Sequence, residues 1–199
     1  MQRIILASGS PRRKKLLEQL GMAFKVCPSN AEEVTAHTQP ATIVEDLALL
    51  KANDVAHSFS DSIVIGADTI VVFNDEILGK PESEEQAIEM LARLSGKTHD
   101  VYTGVAFVKT DKKGVISSQK TFHEQTKVQF STLSSTDILS YVQSRSPMDK
   151  AGAYGIQDDW GAVFVERIEG DYYNVVGLPL NRFYRELQKF HPHLSFKAT

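Results

Sequence analysis

A short basic segment that follows an apolar run is the first place where residue types and spacing suggest chemistry. Ser8–Lys15 has the sequence SGSPRRKK, in which a glycine-containing turn precedes Arg12, Arg13 and two lysines. Ser10 and Pro11 are typical of the N-cap and first position of a helix, where free backbone N–H groups favour an anion. Cations in that first turn oppose the helix dipole, at a cost of roughly 0.3 to 1 kcal/mol each. A bound polyanion such as phosphate would offset this cost, and a solvated basic face is the alternative.

Asp68 is the second candidate, because it lies between two strand-like apolar runs, residues 62–65 and 70–73. A carboxylate near a sheet interior is unfavourable unless it is paired, ligates a metal or faces a cleft. The position therefore predicts a catalytic base or a metal ligand, and an ordinary turn aspartate is the alternative. Glu32 and Glu33, in a polar loop after a strand, add carboxylate oxygens of the kind that Mg²⁺ or Mn²⁺ binds, although a loop pair is more often solvated surface.

Three lysines stand where local structure does not require a cation. Lys51 falls within the apolar stripe of a predicted helix, Lys80 lies in a Gly-Lys-Pro sequence, and Lys150 precedes an Ala-Gly pair. Lysine side chains can extend along apolar surface to reach water, so each of them taken singly is more simply a surface residue. Together with Arg12 and Arg13, however, they provide enough positive charge to neutralise a triphosphate.

The elements that must position these side chains alternate between strands and helices. Such alternation predicts an α/β fold in which helices pack on the faces of a mixed sheet. The apolar patterns predict strands at residues 3–7, 24–27, 62–65, 70–73, 101–108, 120–130 and 162–168. Turn and capping residues predict helices that begin at Ser10–Pro11, Pro40, Ser83, Ser134 or Ser135, and Pro179.

Composition sets the broad class. A chain of 199 residues with 42% hydrophobic residues is long enough to bury a core, as one domain or as two tightly joined lobes. Its single cysteine, Cys27, allows no internal disulfide, and no stretch has the length of a membrane span, so we expect a cytoplasmic protein without a membrane partner. A net charge of -3 gives no general attraction to nucleic acid. The six histidines, including His191 and His193, show no helical metal-binding pairing.

Six motifs, in order along the chain, resemble those of the Maf family of nucleoside triphosphate pyrophosphatases. The similarity extends from about Ile4 to the last predicted helix. The motifs are Leu6–Arg13 (LASGSPRR), Ile65–Thr69 (IGADT), Leu78–Pro81 (LGKP), Leu94–His99 (LSGKTH), Asp149–Gln157 (DKAGAYGIQ) and Gly170–Pro179 (GDYYNVVGLP).

The resemblance implies a fold and an activity. The fold would be like that of inosine triphosphate pyrophosphatases, with residues 1–199 forming a single α/β domain with a central mixed sheet, flanking helices and a nucleotide-binding cleft between two lobes. The activity would be cleavage of a nucleoside triphosphate to the monophosphate and pyrophosphate with a divalent metal cation, Mg²⁺ or Mn²⁺. The partner would be a small-molecule nucleotide, without a stable nucleic-acid partner, and a homodimer is left open.

Within the family, the segment Ala151–Gln157 is similar to the branch that acts on dTTP and UTP, with modified pyrimidine triphosphates as further candidates. For that branch Arg12, Thr69 and Gln157 match the specificity positions, and Asp68 matches the proton acceptor. The Gln157 amide suits uracil or thymine, because its N–H can donate to a pyrimidine carbonyl while its oxygen accepts from N3–H. A glutamate there, as in the branch that acts on 7-methyl-GTP, suits the donor-rich edge of a methylated guanine instead.

One local departure follows Gln157. Asp158-Asp159-Trp160 stands where relatives often have a shorter, glycine-rich link, so the loop geometry at this point is expected to differ.

The predicted mechanism combines these positions. The hypothesis is that a metal held by Asp68 and Glu33, with phosphate oxygens and water, polarises the α-phosphate, and that Asp68 acts as general base for the attacking water. Basic side chains stabilise the pyrophosphate leaving group. The predicted substrate-binding and specificity residues are Ser8, Arg12, Arg13, Lys51, Thr69, Lys80 and Gln157.

Two other functions would use some of the same residues. A nucleotide-sensing or division-inhibiting binding protein would bind the nucleotide in the same cleft without steady release of pyrophosphate. A nucleic-acid-binding protein would use the basic segment Arg12–Lys15, but the acidic net charge and the lack of a wider basic stripe speak against it.

Overall fold

The computed structural model describes residues 2–192, which places His193 outside the described part of the chain. The strands within it are β1 (Arg3–Leu6), β2 (Lys25–Val26), β3 (Ser62–Phe73), β4 (Glu76–Leu78), β5 (Thr98–Thr110), β6 (Ile116–Phe130) and β7 (Val165–Glu169). The helices are α1 (Pro11–Gln19), α2 (Pro40–Ala56), α3 (Glu84–Leu94), α4 (Ser135–Gln143), α5 (Asp159–Phe164), α6 (Tyr172–Val176) and α7 (Leu180–Phe190). None of the helices in residues 2–192 has the length and apolar character that crossing a bilayer requires.

The strands form one mixed sheet, which confirms the predicted α/β class. Its order is β2-β1-β3-β5-β6-β7, and β4 pairs with β3 beside this path. Strand β1 runs parallel to both β2 and β3, whereas the β3–β4 and β6–β7 pairs are antiparallel. The β3–β4 turn uses Asn74 and Asp75, both at positive φ, as a tight hairpin turn requires.

The chain divides into two compact units. Within the described residues, unit 1 contains residues 2–68, 103–124 and 177–192, and unit 2 contains residues 69–102 and 125–176. Strands β3, β5 and β6 contribute residues to both units. The cleft expected from the resemblance stays a prediction.

In unit 1, helix α2 packs directly on the sheet because two strand residues are glycines. A Cβ atom at Gly66 would lie 2.0 Å from the backbone oxygen of Ala48, and one at Gly104 would lie 2.1 Å from that of Val44. Real Cβ atoms do not approach oxygen this closely, so only glycine allows the helix backbone to lie so near the strands. This contact places the face of α2 that contains Lys51 over the strand residues near Gly66.

In unit 2, an aromatic cluster lies beneath α4 and α5. Phe130 lies edge-on to Tyr154, with ring centroids 4.7 Å apart, and Phe164 lies edge-on to Tyr141 at 5.2 Å. Such edge-to-face pairs are favourable beyond the area that they bury. All four side chains are buried.

The structure overturns two details of the predicted elements. Residues 162–168 were expected to form one strand, but 162–164 end helix α5 and only the following residues pair with β6. A short apolar run does not distinguish helix from strand, and in the structure Phe164 is a buried residue at the end of α5. The runs 62–65 and 70–73 form a single strand, with residues 66–69 inside it.

Candidate active site

The loop after β1 and the start of α1 form the first part of the site, in unit 1. Ser10 caps the helix by accepting a hydrogen bond from the backbone N–H of Arg13, and Pro11 follows at the first helical position, as predicted. The buried Ser8 hydroxyl oxygen accepts from the Ser10 N–H at 3.2 Å. No acidic residue lies in the first turn of α1. The charged side chains near the positive end of the helix dipole are therefore all basic, which is unfavourable.

Arg13 is turned inward from this helix. Its Nε donates to the carbonyl oxygen of Gly177 at 2.9 Å, and one of its terminal nitrogens donates to the Ser8 oxygen at 3.2 Å. Burial lowers the pKa of the Arg13 guanidinium; the charge of Arg12 lowers it further, while the charges of Asp68 and Glu33 raise it. These influences indicate that the two arginines and the two carboxylates lie in one electrostatic neighbourhood.

The remaining cations of the basic segment face solvent. Lys14 and Lys15 are exposed, and Lys14 forms an ordinary surface ion pair with Glu18 one turn later, at 3.7 Å. The predicted basic group therefore separates into an inner pair, Arg12 and Arg13, both half-buried, and an outer pair on the surface.

Asp68 lies at the centre of the second part of the site, also in unit 1. Its Oδ1 accepts a hydrogen bond from Lys51 Nζ at 2.7 Å, and the same ammonium lies 2.9 Å from Oε1 of Glu33. Asp68 is buried, at 7% exposure, and because it lies inside a continuous strand it is not a turn aspartate. Successive residues of a strand alternate between its faces, so Asp68 and Gly66 share the face that α2 covers. The close approach at Gly66 is what brings Lys51 to the carboxylate.

The oxygen donors of this cluster suit a hard divalent cation. Lys51 contacts Oδ1 of Asp68 and Oε1 of Glu33, which brings the two carboxylates close to one another. Among residues 2–192 there is no group of three or more His, Cys, Asp or Glu side chains that could hold a metal by themselves. Mg²⁺ is commonly held by one or two carboxylates with substrate phosphates and water, and a two-carboxylate set fits that pattern.

The other predicted site residues belong to unit 2. Thr69 follows Asp68 on β3 and is half-buried, and Lys80 is exposed just after β4. Gln157 is half-buried; its Nε2 donates to Oδ2 of Asp158 at 2.6 Å, and its Oε1 is buried without a hydrogen-bond partner among the described residues. The structure therefore brings together Ser8 with Arg13, and Lys51 with Asp68 and Glu33, within unit 1.

Lys150 has a larger structural role than the sequence indicated. It is buried, at 6% exposure, and its Nζ lies 2.8 Å from Asp149 Oδ1 and 3.4 Å from Asp158 Oδ2. It also donates to the Ser146 backbone oxygen. The charge of Lys150 is therefore neutralised by carboxylates of the same segment, residues 146–158. Asp158 was noted in the sequence only as a departure, and its contacts with Lys150 and Gln157 were not foreseen.

A buried histidine lies in the LSGKTH motif of the same unit. His99 Nε2 lies 2.8 Å from the Tyr154 hydroxyl, and both side chains are almost completely buried. Burial lowers the pKa of His99 to about 4 and raises that of Tyr154. The neutral pair is a structural group and was not identified from the sequence.

The fold and these clusters define a mixed α/β protein in which a buried carboxylate is paired with a lysine and lies in the electrostatic neighbourhood of two half-buried arginines. The chain belongs to the Maf family, since the family model described as Maf-like protein matches residues 3–190. This confirms the resemblance drawn from the six motifs.

The chain is similar to two named relatives and to one solved structure. A dTTP/UTP pyrophosphatase of Lachnoclostridium phytofermentans is 50% identical over 191 residues, which cover 96% of each chain. A dTTP/UTP pyrophosphatase of Bacillus cereus (strain AH820) is 54% identical over the same length and the same shares. Among solved structures, the Ham1 protein of Staphylococcus aureus is similar with a TM-score of 0.46 and 16% identity, over 65% of this chain and 72% of that chain.

Proposed function

We propose that this chain hydrolyses dTTP and UTP to the nucleoside monophosphate and pyrophosphate. Relatives that are 50% and 54% identical over nearly the whole chain have the name dTTP/UTP pyrophosphatase, which supports the proposal. The observation on which it chiefly rests is the contact of the buried Asp68 carboxylate with Lys51, which is also paired with Glu33. Modified pyrimidine triphosphates are further candidate substrates.

In the proposed reaction, a water oxygen attacks the α-phosphorus and the bond to the oxygen bridging to the β-phosphorus breaks. Asp68 accepts the proton of the attacking water, and pyrophosphate leaves with the bridging oxygen. General-base catalysis of this kind contributes about 10²- to 10⁴-fold in rate. Lys51 holds the carboxylate in one orientation, which supports this role.

The triphosphate end is proposed to bind to the basic side chains of unit 1. Arg13 is held in place by Ser8 and Gly177, so its guanidinium is oriented before the substrate arrives. Arg12 shares this neighbourhood, and Lys51 adds a third cation. Charge-assisted hydrogen bonds from such groups are stronger than neutral ones and stabilise negative charge on the leaving group.

A divalent cation, Mg²⁺ or Mn²⁺, is proposed to bind to Asp68 and Glu33, where it would neutralise phosphate charge and polarise the scissile group when bound. Thr69 and Lys80 are proposed to bind the substrate, and Gln157 to contact the base. A cytoplasmic location and a homodimer stay predictions.

The proposal is tested by measuring pyrophosphate release from a panel of triphosphates with Mg²⁺ or Mn²⁺ and, as a control, with a chelator. The panel contains UTP, dTTP, CTP, ATP, GTP, 7-methyl-GTP and 5-methyl-UTP. We expect the highest kcat/KM for UTP and dTTP, and the products to be the monophosphate and pyrophosphate. Release of orthophosphate, or a preference for purines, would contradict the proposal. Tight binding without turnover would indicate a nucleotide sensor instead.

A further inference from the structure

The two ends of the Gln157 side-chain amide have different surroundings. Its Nε2 donates to Asp158 Oδ2 at 2.6 Å, whereas its Oε1 is buried and accepts no hydrogen bond from the described residues. Buried polar atoms in folded proteins nearly always have a hydrogen-bond partner, so an unpaired one requires an explanation. A ligand with a hydrogen-bond donor would satisfy this oxygen.

Asp158 determines the orientation of the Gln157 side-chain amide. A carboxylate only accepts hydrogen bonds, so it pairs with the NH₂ end of an amide and not with the oxygen. If the Gln157 amide were flipped, two oxygens would face each other at the 2.6 Å distance that now separates Nε2 and Oδ2. The carbonyl oxygen is therefore held at the end remote from Asp158.

Asp158 is itself held by its neighbours in unit 2. Its Oδ2 lies 3.4 Å from the ammonium of the buried Lys150. A Cβ atom at Gly155 would lie 2.7 Å from Lys150 Cε, 3.0 Å from Asp158 Oδ2 and 3.0 Å from Gln157 Nε2. The three side chains therefore pack around a glycine that leaves them just enough space, and they limit one another's movement.

We propose that Asp158 is a positioning residue for base selection, which fixes the Gln157 carbonyl oxygen as the acceptor that meets the base. The inference rests on the proposed function. Uracil and thymine have an N–H donor at N3, which this oxygen can accept. Cytosine has a lone pair at N3, which would face the oxygen without a proton between them. A freely rotating amide could turn its NH₂ toward cytosine, but an amide held by Asp158 cannot.

Protein atoms shield this oxygen from solvent, so a base that contacts it must replace some of them. The second N–H of Nε2 remains for an adjacent pyrimidine carbonyl. Asp158 thus acts through Gln157 and does not itself touch the substrate.

The test is the ratio of kcat/KM for UTP to that for CTP in the unaltered chain and in Asp158→Asn. An asparagine both donates and accepts, so it permits both orientations of the Gln157 amide. We expect UTP to be preferred by the unaltered chain, and the preference to fall about tenfold in the variant. Asp75→Asn, at an exposed aspartate in the β3–β4 turn, is the matched control and should leave the ratio unchanged. Thermal melting establishes that each variant is folded.

Asp158→Ala and a modified substrate provide independent checks. The alanine variant should also lose the preference for UTP. The unaltered chain should hydrolyse 3-methyl-UTP, in which a methyl group replaces the N3 hydrogen, at least tenfold less efficiently than UTP. An unchanged UTP-to-CTP ratio in a folded variant, or equal use of 3-methyl-UTP, would overturn the role of Asp158 and leave the proposed function standing. If the unaltered chain hydrolyses no pyrimidine triphosphate, both are wrong.

Discussion

Replacement of Lys51 by methionine tests the contact at the centre of the site through stability alone. The substitution keeps an unbranched apolar stem and removes the ammonium that lies 2.7 Å from Asp68. The two side chains are only 12% and 10% exposed, so Asp68 would be left as a nearly buried, unpaired carboxylate. Loss of one partner of a buried ion pair costs about 3 to 5 kcal/mol. We expect about 3 kcal/mol, since Glu33 is 55% exposed and stays hydrated.

The assay is urea unfolding at pH 7, followed by circular dichroism. Lys14→Met is the matched control, because its ion pair with Glu18 is about half exposed on both sides and should change the free energy of unfolding by less than about 0.5 kcal/mol. Addition of Asp68→Asn to Lys51→Met removes the unpaired charge and should recover about 1 to 2 kcal/mol. If Lys51→Met is as stable as the unaltered chain, or the double variant recovers nothing, the buried pair is not as described.

Three further changes test other parts of the account. Gly66→Ala should destabilise the chain by about 3 kcal/mol or more, because the new Cβ would meet an α2 backbone oxygen at 2.0 Å, whereas Gly79→Ala, with open space around it, should be nearly neutral in the same unfolding assay. Burial in the folded chain lowers the pKa of His99 from 6.5 to about 4. As the pH is lowered, the unfolded chain therefore takes up the proton before the folded chain does, and the free energy of unfolding decreases. Between pH 7 and pH 5 the loss should be about 2 kcal/mol, and His99→Gln should not show it. Arg13→Ala should raise KM for UTP at least about tenfold, because a charge-assisted contact with the triphosphate is lost. It should also lower the melting temperature, because the contacts with Ser8 and Gly177 are lost. An unchanged KM would show that Arg13 has only a structural role.

Local signals predicted the parts of the molecule that depend on local chemistry. The helix starts at Ser10–Pro11 and at Pro40 follow from capping rules and the position of proline, and the structure confirms them. Asp68 was recognised because a carboxylate is costly in an apolar strand.

Features that depend on tertiary contacts were not predictable in the same way. Glycine is a signal of a turn and also of a close approach, and only the position of α2 shows that Gly66 has the second role. Helix α5 forms where the pattern suggested a strand, because Phe164 packs on rings distant in sequence. The pairing of Gln157 with Asp158 depends on side-chain directions that spacing alone does not give.

The role of Asp68 is tested most directly by comparing Asp68→Asn with the unaltered chain, using UTP and a divalent metal. Asparagine has nearly the same shape but cannot accept the proton of the attacking water. We predict that kcat falls about 10²- to 10⁴-fold while the protein remains folded and still binds UMP and UTP. A folded variant with near-normal kcat would contradict Asp68 as the general base.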